Sequence, residues 1–295
     1  MRPDIFIMRL RTFIYILAAS AGMLCSMTSG AQTAKSLFLK SDGVQVTEIF
    51  AEDGDGYKAA GHHGPAVENT HMALRIYFNA SGAIDVYSKS GRGMELEKYL
   101  WYPDKAGQEA YGLGCDVYRV GNTVGLGGIA LWDDGKEVRL ETSRGRLARV
   151  GDTRKGTFAE MISYGVPYAG DTVDIKVRVE VSSKTRNAVV TAEELSGKKV
   201  QFMTGVNYHP GASTGSGDGY IWVWGVHPAD VSDSPCPVGG GMFFQKTAFS
   251  APEKTEDMVR IISRPTAKIR TWIVSASTKE AELNSARRFE AYMTK

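Results

Sequence analysis

Two-residue alternation of apolar and polar side chains dominates this sequence and limits the fold more than any other feature. The clearest case is residues 173–181, where valine and isoleucine alternate with Asp174, Lys176, Arg178 and Glu180. Successive side chains of a strand point to opposite faces, so this pattern is typical of a half-buried strand. Less regular versions recur at residues 37–51, 74–78, 84–86, 129–132, 138–140, 189–191, 200–206, 220–226, 242–249, 258–263 and 269–276.

These runs do not alternate with helical patterns, which argues against a parallel sheet. We therefore predict an all-β fold, a large antiparallel β-sandwich with curved sheets and a short C-terminal helix. The helix is expected over Thr278–Met293, with Thr278 as its N-cap. No linker-like composition interrupts residues 32–295, so we expect a single β-sandwich domain there.

The first 31 residues have the layout of a secretory signal peptide. Arginines precede an uncharged apolar run from Phe13 to Met27, and small residues follow up to Ala31. Cleavage near Ala31 is favoured over lipidation at Cys25, because bulky residues precede that cysteine. The mature chain is expected in the periplasm or outside the cell, where Cys115 and Cys236 either pair or stay as separate thiols.

Charge and hydropathy exclude some partners. The net charge is +2, with no basic run or tail, so we expect no nucleic-acid partner. A second long apolar segment is missing, so we expect the mature chain not to enter a membrane. The sequence does not set the oligomeric state.

The hairpin expected over residues 71–89 is the most informative segment for function. Leu74, Ile76 and Phe78 share one face with Ile84 and Val86. The other face collects polar and aromatic candidates, which are His71, Arg75, Tyr77, Asn79, Asp85, Tyr87 and Lys89. That face is either exposed to solvent or forms the floor of a groove in which aromatic rings and charged groups bind a sugar.

The loop "GHHGPAVEN" before this hairpin contributes His62, His63, Glu68 and Asn69. Its histidines lack the spaced partners of a zinc site, so no metal site is predicted. Calcium at the acidic stretch "EDGDG" is kept as an alternative, and otherwise no cofactor is expected. The histidines serve either in acid–base chemistry or in structural hydrogen bonds.

A second cluster lies at "GVNYHPGAST", where Tyr208 and His209 end a strand before a Pro-Gly turn. Strand ends that lead into loops are well placed for a site, and a simple turn is the alternative. Trp222 and Trp224 are two residues apart and are expected in the core rather than in a sugar site. The sequence contains no G-x-S-x-G elbow of the common hydrolases.

Four segments carry a family resemblance, "HGPAVEN", "ALRIYFN", "AIDVYSK" and "GCDVYRVGNTVGLGGIALW". In order and spacing they resemble a family of exported bacterial proteins of unknown function, associated with glycan degradation in Bacteroidetes. Some members are joined to unsaturated glucuronyl hydrolase domains. The resemblance implies a carbohydrate partner, but it supplies no established activity.

At the level of fold, a long all-β chain with "GVNYHP" near a strand end is similar to the galactose mutarotase-like supersandwich. That superfamily includes aldose epimerases, which use a histidine and a glutamate, and the β-domains of glycan lyases. His209 matches the histidine by context. Fold analogy alone does not fix function.

Three hypotheses follow from the residues and the resemblance. The first is an enzyme that acts on uronic-acid-containing glycans by lyase-type chemistry. Arg75 or His71 would neutralise the carboxylate, and Tyr87, Tyr208 or His209 would move protons. His62, His63, Glu68, Asn69, Tyr77, Asp85 and Lys89 would bind substrate. The alternatives are a sugar epimerase or mutarotase that uses His209 with Glu68, and a non-catalytic glycan-binding protein.

Overall fold

The computed structural model describes residues 32–96, 105–228 and 235–295. The expected signal peptide lies outside the described residues. Eighteen strands in these three ranges follow one another in chain order. They are β1 (Thr33–Ser36), β2 (Glu48–Ala51), β3 (Ala66–Asn69), β4 (Ala73–Ile76), β5 (Ile84–Tyr87), β6 (Ala130–Asp133), β7 (Lys136–Val138), β8 (Arg146–Thr153), β9 (Gly156–Tyr168), β10 (Asp171–Ser182), β11 (Ala188–Glu194), β12 (Phe202–Asn207), β13 (Ser213–Gly217), β14 (Tyr220–Gly225), β15 (Val238–Phe243), β16 (Glu253–Lys254), β17 (Met258–Ile262) and β18 (Lys268–Ser277).

The strands form three sheets, and every strand pair is antiparallel. A nine-stranded sheet has the order β13-β14-β15-β18-β11-β10-β9-β8-β2. A four-stranded sheet has the order β1-β3-β4-β5, and a five-stranded sheet has the order β16-β17-β12-β6-β7. The predicted all-β antiparallel fold is confirmed.

Both smaller sheets pack against the nine-stranded sheet. β3 and β4 contact β9, while β12 contacts β14 and β15. The apolar residues of the alternating runs meet in this interior, and the largest core cluster takes members from all three sheets. Trp222 and Trp224 are buried in it, as the sequence predicts.

The segment of residues 115–126 connects the two smaller sheets. Cys115 forms a β-bridge with Ser88, directly after β5, and Leu126 forms one with Val206 in β12. The segment therefore runs from the edge of the four-stranded sheet to the five-stranded sheet. This path brings loop residues from distant parts of the sequence together.

The helices differ in part from the prediction. α1 (Lys105–Tyr111) was not predicted. The C-terminal helix α2 (Ala286–Met293) is present but shorter than predicted, because its N-cap is Ser285 and not Thr278. The Ser285 side chain accepts a hydrogen bond from the backbone N–H of Arg288, three residues later, which satisfies a free donor of the first turn. Among the described residues, no helix is both long and apolar enough to cross a bilayer.

Candidate functional site

The polar face of the 71–89 hairpin is buried at Arg75, Asp85, Tyr87 and Lys89, whereas His71, Tyr77 and Asn79 are partly exposed. The side chain of Arg75 is 4% exposed and that of Asp85 is fully buried. Alternation places these residues together on one face, as predicted, because Arg75 pairs with Asp85 across β4 and β5. The solvent-exposed alternative is therefore wrong for these two residues.

Arg75 is the centre of this face. Its Nε atom donates to Asp85 Oδ2 at 2.8 Å, and its Nη2 atom donates to Asp116 Oδ2 at 2.8 Å. The hydroxyl of Tyr77 also donates to Asp85 Oδ2, at 2.6 Å. Two carboxylates thus offset one guanidinium, so Arg75 has little free charge to offer an anionic ligand.

Glu68 and Lys89 form a second buried pair on the same face, with side chains 0% and 2% exposed. Glu68 also accepts hydrogen bonds from the backbone N–H groups of Glu95 and Leu96, at 2.8 and 2.9 Å through Oε2. Tyr87 is likewise buried, and its hydroxyl donates to the carbonyl of Gly114 at 2.8 Å. These contacts hold the covering segments onto the sheet and suit a structural role.

An aromatic rim lies above Arg75 and is half-buried. The rings of Tyr57 and His63 stack at a centroid distance of 4.0 Å, and Tyr77 meets Tyr57 edge-on at 5.2 Å. His62 and His63 both adopt left-handed backbone angles, with φ of 52° and 59°. Such angles cost energy for non-glycine residues and cluster at functional sites.

His63 is prepared as a neutral base. Burial, helped by the positive charge of Arg75, lowers its pKa below the usual value. Its Nδ1 atom lies 3.0 Å from the carbonyl of Tyr57. A carbonyl only accepts hydrogen bonds, so Nδ1 carries the proton and Nε2 carries the lone pair. His62 is fully buried, and burial lowers its pKa to about 3.

Asp116 is the acidic counterpart of His63. Burial raises its pKa to about 7, against the opposing effect of the Arg75 guanidinium. One of its oxygens binds Arg75, while Oδ1 is buried and has no hydrogen-bond partner among the described residues. A carboxyl group that titrates near neutral pH is suited to general acid–base catalysis.

A second cluster forms at the end of β12 around the backbone of Arg119. The carbonyl of Arg119 accepts hydrogen bonds from Asn207 Nδ2 at 2.8 Å and from His209 Nε2 at 2.9 Å. The N–H of Arg119 donates to Nδ1 of His227 at 2.9 Å. The side chain of Arg119 is exposed. Tyr208 is directed elsewhere, since its hydroxyl donates to the carbonyl of Thr255.

The two clusters are neighbours because residues 116–119 belong to both. Asp116 binds Arg75, and three residues later Arg119 holds His209. Three residues span at most about 11 Å, so the Arg75 cluster and the His209 cluster lie on one short segment. We call this segment the bridge segment.

Asp116, Arg119, His227 and Tyr57 were not predicted as site residues. The motif "GCDVYRVGN" contains Asp116 and Arg119, and its charged residues within a glycine-rich run were the available signal. His227 sits after β14, far from His209 in sequence. The structure brings the two residues together, with a distance of 4.6 Å between the centroids of the His209 and His227 rings.

His71 and Asn69 belong to a different region. His71 lines a small cavity of about 120 Å³ together with Arg92, Arg186 and Glu280. The side chain of Asn69 donates to the carbonyl groups of Ser182 and Thr185, both at 3.1 Å. Their surroundings are therefore the loop after β10 and the segment before α2.

A larger polar cavity of about 770 Å³ begins just past the bridge segment. Asn122 lines it, three residues after Arg119, together with Arg139 and Arg146. Its other lining residues are Asp53, Gly54, Asp55, Asn79, Ala80, Ser81, Gly121, Glu141 and Thr142. The volume is in the range of small-molecule sites in proteins.

Arg146 lines this cavity although its side chain is almost fully buried. It is 1% exposed, and it donates to Ser163 Oγ at 3.0 Å and to the carbonyls of Gly54 and Leu140. Burial lowers its pKa to about 10. No carboxylate of the described residues forms an ion pair with it. The carboxylates of Asp55 and Glu141, which line the same cavity, oppose this effect of burial electrostatically.

The acidic stretch considered for calcium makes local turns. Asp53 Oδ1 accepts the N–H of Asp55 at 3.0 Å, and Asp55 Oδ1 accepts the N–H of Tyr57 at 3.0 Å. Within the three described ranges, no three His, Cys, Asp or Glu side chains are grouped so that they could hold a metal ion.

Comparison with protein families gives a clear assignment. A family model described as a domain of unknown function, DUF4861, matches residues 26–295. The chain belongs to this family. No curated protein matches the sequence.

Solved structures show only distant likeness. A 4-alpha-glucanotransferase from Thermococcus litoralis matches with a TM-score of 0.33 and 10% identity, over 72% of this chain and 39% of that one. The heparan sulfate lyase HepC from Pedobacter heparinus matches with a TM-score of 0.28 and 9% identity, over 82% and 39%. A heparinase III gene product matches with a TM-score of 0.28 and 12% identity, over 81% and 34%. The chain thus spans about two fifths or less of these structures.

Proposed function

We propose that the protein is an exported enzyme that acts on uronic-acid-containing glycans by lyase-type chemistry at the bridge segment. The observation that carries the proposal is the position of that segment. It joins a carboxyl group with a pKa of about 7 to a histidine cluster, and it leads directly into a polar cavity walled by Arg146.

β-Elimination from a uronate needs three groups. A cation or hydrogen-bond donor neutralises the sugar carboxylate, a base takes the C5 proton, and an acid protonates the leaving oxygen. We assign the first role to the exposed guanidinium of Arg119, the second to His209, and the third to Asp116. His63 is the alternative base, since its Nε2 atom carries a lone pair.

The cavity supports the choice of substrate class. A uronate polymer places a carboxylate on successive sugar units, so units next to the reacting one need cations too. Arg146, in the cavity wall, would donate a charge-assisted hydrogen bond to such a carboxylate. Asn122 also lines this cavity, three residues after Arg119, and its side-chain amide can hydrogen-bond sugar hydroxyls.

The proposed assignment changes several roles predicted from sequence. Arg75 supports Asp116 rather than the sugar carboxylate, because two carboxylates already offset its charge. Tyr87 and the Glu68–Lys89 pair support the sheet. The expected export of the chain rests on residues 1–31 and stays a prediction.

Turnover on a panel of uronate polymers tests the proposal. The panel should include polymannuronate, polygalacturonate and glucuronate-containing glycosaminoglycans, with release of unsaturated uronate followed by absorbance. We expect release from at least one polymer, and a loss of about 10²-fold or more in kcat for His209→Ala. Arg287→Ala is the matched control for Arg119→Ala, because Arg287 is an exposed arginine on α2. No release from any polymer would overturn the lyase assignment.

A sugar epimerase or mutarotase is the second candidate. Asp116 supports it, because a carboxyl group of pKa about 7 is suited to acid–base catalysis. Glu68, the partner expected from sequence, is fully buried and bound by Lys89. Faster anomeric equilibration of free sugars, without unsaturated product, would favour this candidate. Glycan binding without any turnover would instead indicate a binding protein.

A further inference from the structure

The two cysteines of the folded region lie in side-chain contact. The thiols of Cys115 and Cys236 share a hydrogen bond, and both residues pack on the main apolar core. Both are free thiols in the structure. Cys115 is fully buried, and Cys236, just before β15, is partly exposed.

Backbone contacts place the same two residues together independently. The N–H of Thr278 donates to the carbonyl of Pro237 at 3.1 Å, so the segment after β18 lies beside Cys236. The next residue is Lys279, whose Nζ atom lies 3.0 Å from the sulfur of Cys115. The path from Cys236 through Thr278 and Lys279 back to Cys115 therefore closes a small ring of contacts.

The charges around this pair favour a reactive thiol. The hydrogen bond from Cys115, assisted by the positive charge of Lys279, lowers the pKa of Cys236 to about 6. The shared hydrogen bond, together with burial, raises the pKa of Cys115. At neutral pH the more accessible sulfur is thus the thiolate, which is the nucleophile in thiol–disulfide exchange.

We propose that Cys115 and Cys236 are a redox pair that closes to an intramolecular disulfide by exchange with a disulfide oxidant. The Cys236 thiolate attacks the oxidant's disulfide and releases one thiolate of the reagent. The Cys115 thiol then loses its proton, attacks the Cys236 sulfur and releases the second reagent thiolate. Counted from the two thiols, the protein loses two electrons and two protons, and the oxidant becomes two thiols; the Cys236 proton has already left before the first attack.

The bond would lock the bridge segment. Cys115 precedes Asp116, so the disulfide ties the residue that binds Arg75 to the strand entry at β15. It also closes a chain loop of roughly 120 residues, which strongly restricts the unfolded chain. We expect the oxidised protein to melt roughly 5–15 °C above the reduced protein.

The test uses the whole chain with a Cys25→Ser exchange, so that only the two paired thiols remain. The protein is equilibrated with oxidised or reduced glutathione, acid-quenched, alkylated in denaturant and mapped by mass spectrometry. We expect one linked peptide pair that contains Cys115 and Cys236 under oxidant, two alkylated thiols under reductant, and the stated shift in Tm.

The single variants Cys115→Ser and Cys236→Ser are the controls. Each should lose the redox-dependent shift in Tm, and Cys115→Ser should accumulate a mixed disulfide on Cys236. Two alkylated thiols in the oxidised sample of the Cys25→Ser protein would overturn the proposal. A linked pair without any rise in Tm would overturn the inferred locking of the bridge segment. Neither outcome bears on the glycan proposal, which is tested by turnover.

Discussion

Two strand regions with the same sequence pattern have opposite surroundings. Along β10, apolar residues face the core while Lys176 and Arg178 remain a quarter or more exposed. Along β4 and β5 the pattern is equally alternating, yet every residue of both strands is buried. Alternation therefore predicts which residues share a face, but not whether that face meets water.

The difference arises from what lies over each sheet. The polar face of β10 carries surface ion pairs such as Lys176–Glu193, with a nitrogen–oxygen distance of 2.8 Å. The polar face of the four-stranded sheet is covered by the segments around Glu95 and Gly114, which Glu68 of β3 and Tyr87 of β5 hold by hydrogen bonds. A covered polar face shifts pKa values by burial, as at Glu68, whereas on the β10 face the hydrogen bond from Lys176 lowers the pKa of Glu193.

The largest expected effect is on the buried Glu68–Lys89 pair. Lys89→Ala leaves the Glu68 carboxylate buried without its cation, so we expect the free energy of unfolding to fall by about 3–5 kcal/mol. Urea denaturation measures it. A loss below about 1 kcal/mol would mean that the two faces do not differ as described.

A smaller effect is expected from His62 in acid. Its pKa is about 3 in the folded protein and near 6.5 when unfolded, so the unfolded state binds the proton first. This contribution to stability is present above about pH 6.5 and is lost as the pH falls toward 3, by roughly 1.4 kcal/mol per pH unit. Between pH 7 and 4.5, the free energy of unfolding should fall less steeply for His62→Asn than for the unchanged protein. Asparagine is chosen because it tolerates the left-handed backbone at this position. Parallel curves would contradict the assigned burial.

Tyr87→Phe should have a moderate effect. The change removes the hydroxyl that donates to the Gly114 carbonyl and leaves that carbonyl without this partner. We expect a loss of about 1 kcal/mol in the free energy of unfolding and no change in turnover. A large loss of turnover with unchanged stability would return Tyr87 to the catalytic role predicted from sequence.

The smallest loss of stability is expected for a substitution on the exposed polar face of β10. Lys176→Ala should cost about 0.2–1 kcal/mol, and 1 M salt should remove most of that cost. It is the matched control for Lys89→Ala, because both changes remove a lysine from a strand-face ion pair. Equal costs for the two variants at low and high salt would contradict the comparison.

Much of the fold was predictable from sequence because alternation is local. The valine run of β10, the Asp-Asp-Gly hairpin between β6 and β7, and the burial of Trp222 and Trp224 follow from it. α1 and the late start of α2 did not follow. In α2 the decisive contact is a side-chain cap at Ser285, and Thr278 offered the same chemistry seven residues earlier.

The candidate site was predictable only in part. The sharing of one face by Arg75, Tyr77 and Asp85 follows from strand period. The covering loops, and the link from Asp116 through Arg119 to His209, depend on how distant segments dock. No local pattern encodes the resulting shift in the pKa of Asp116, because burial by residues far along the chain causes it.

Calorimetric titration of one uronate oligosaccharide and of its carboxyl-reduced counterpart tests the central claim most directly. The claim is that the bridge segment and its cavity bind carboxylate-bearing sugars. A charge-assisted hydrogen bond to Arg119 or Arg146 is worth about 1.5–3 kcal/mol, so the acid should bind at least about tenfold more tightly. Equal affinities, or no binding of either sugar across the panel, would contradict it.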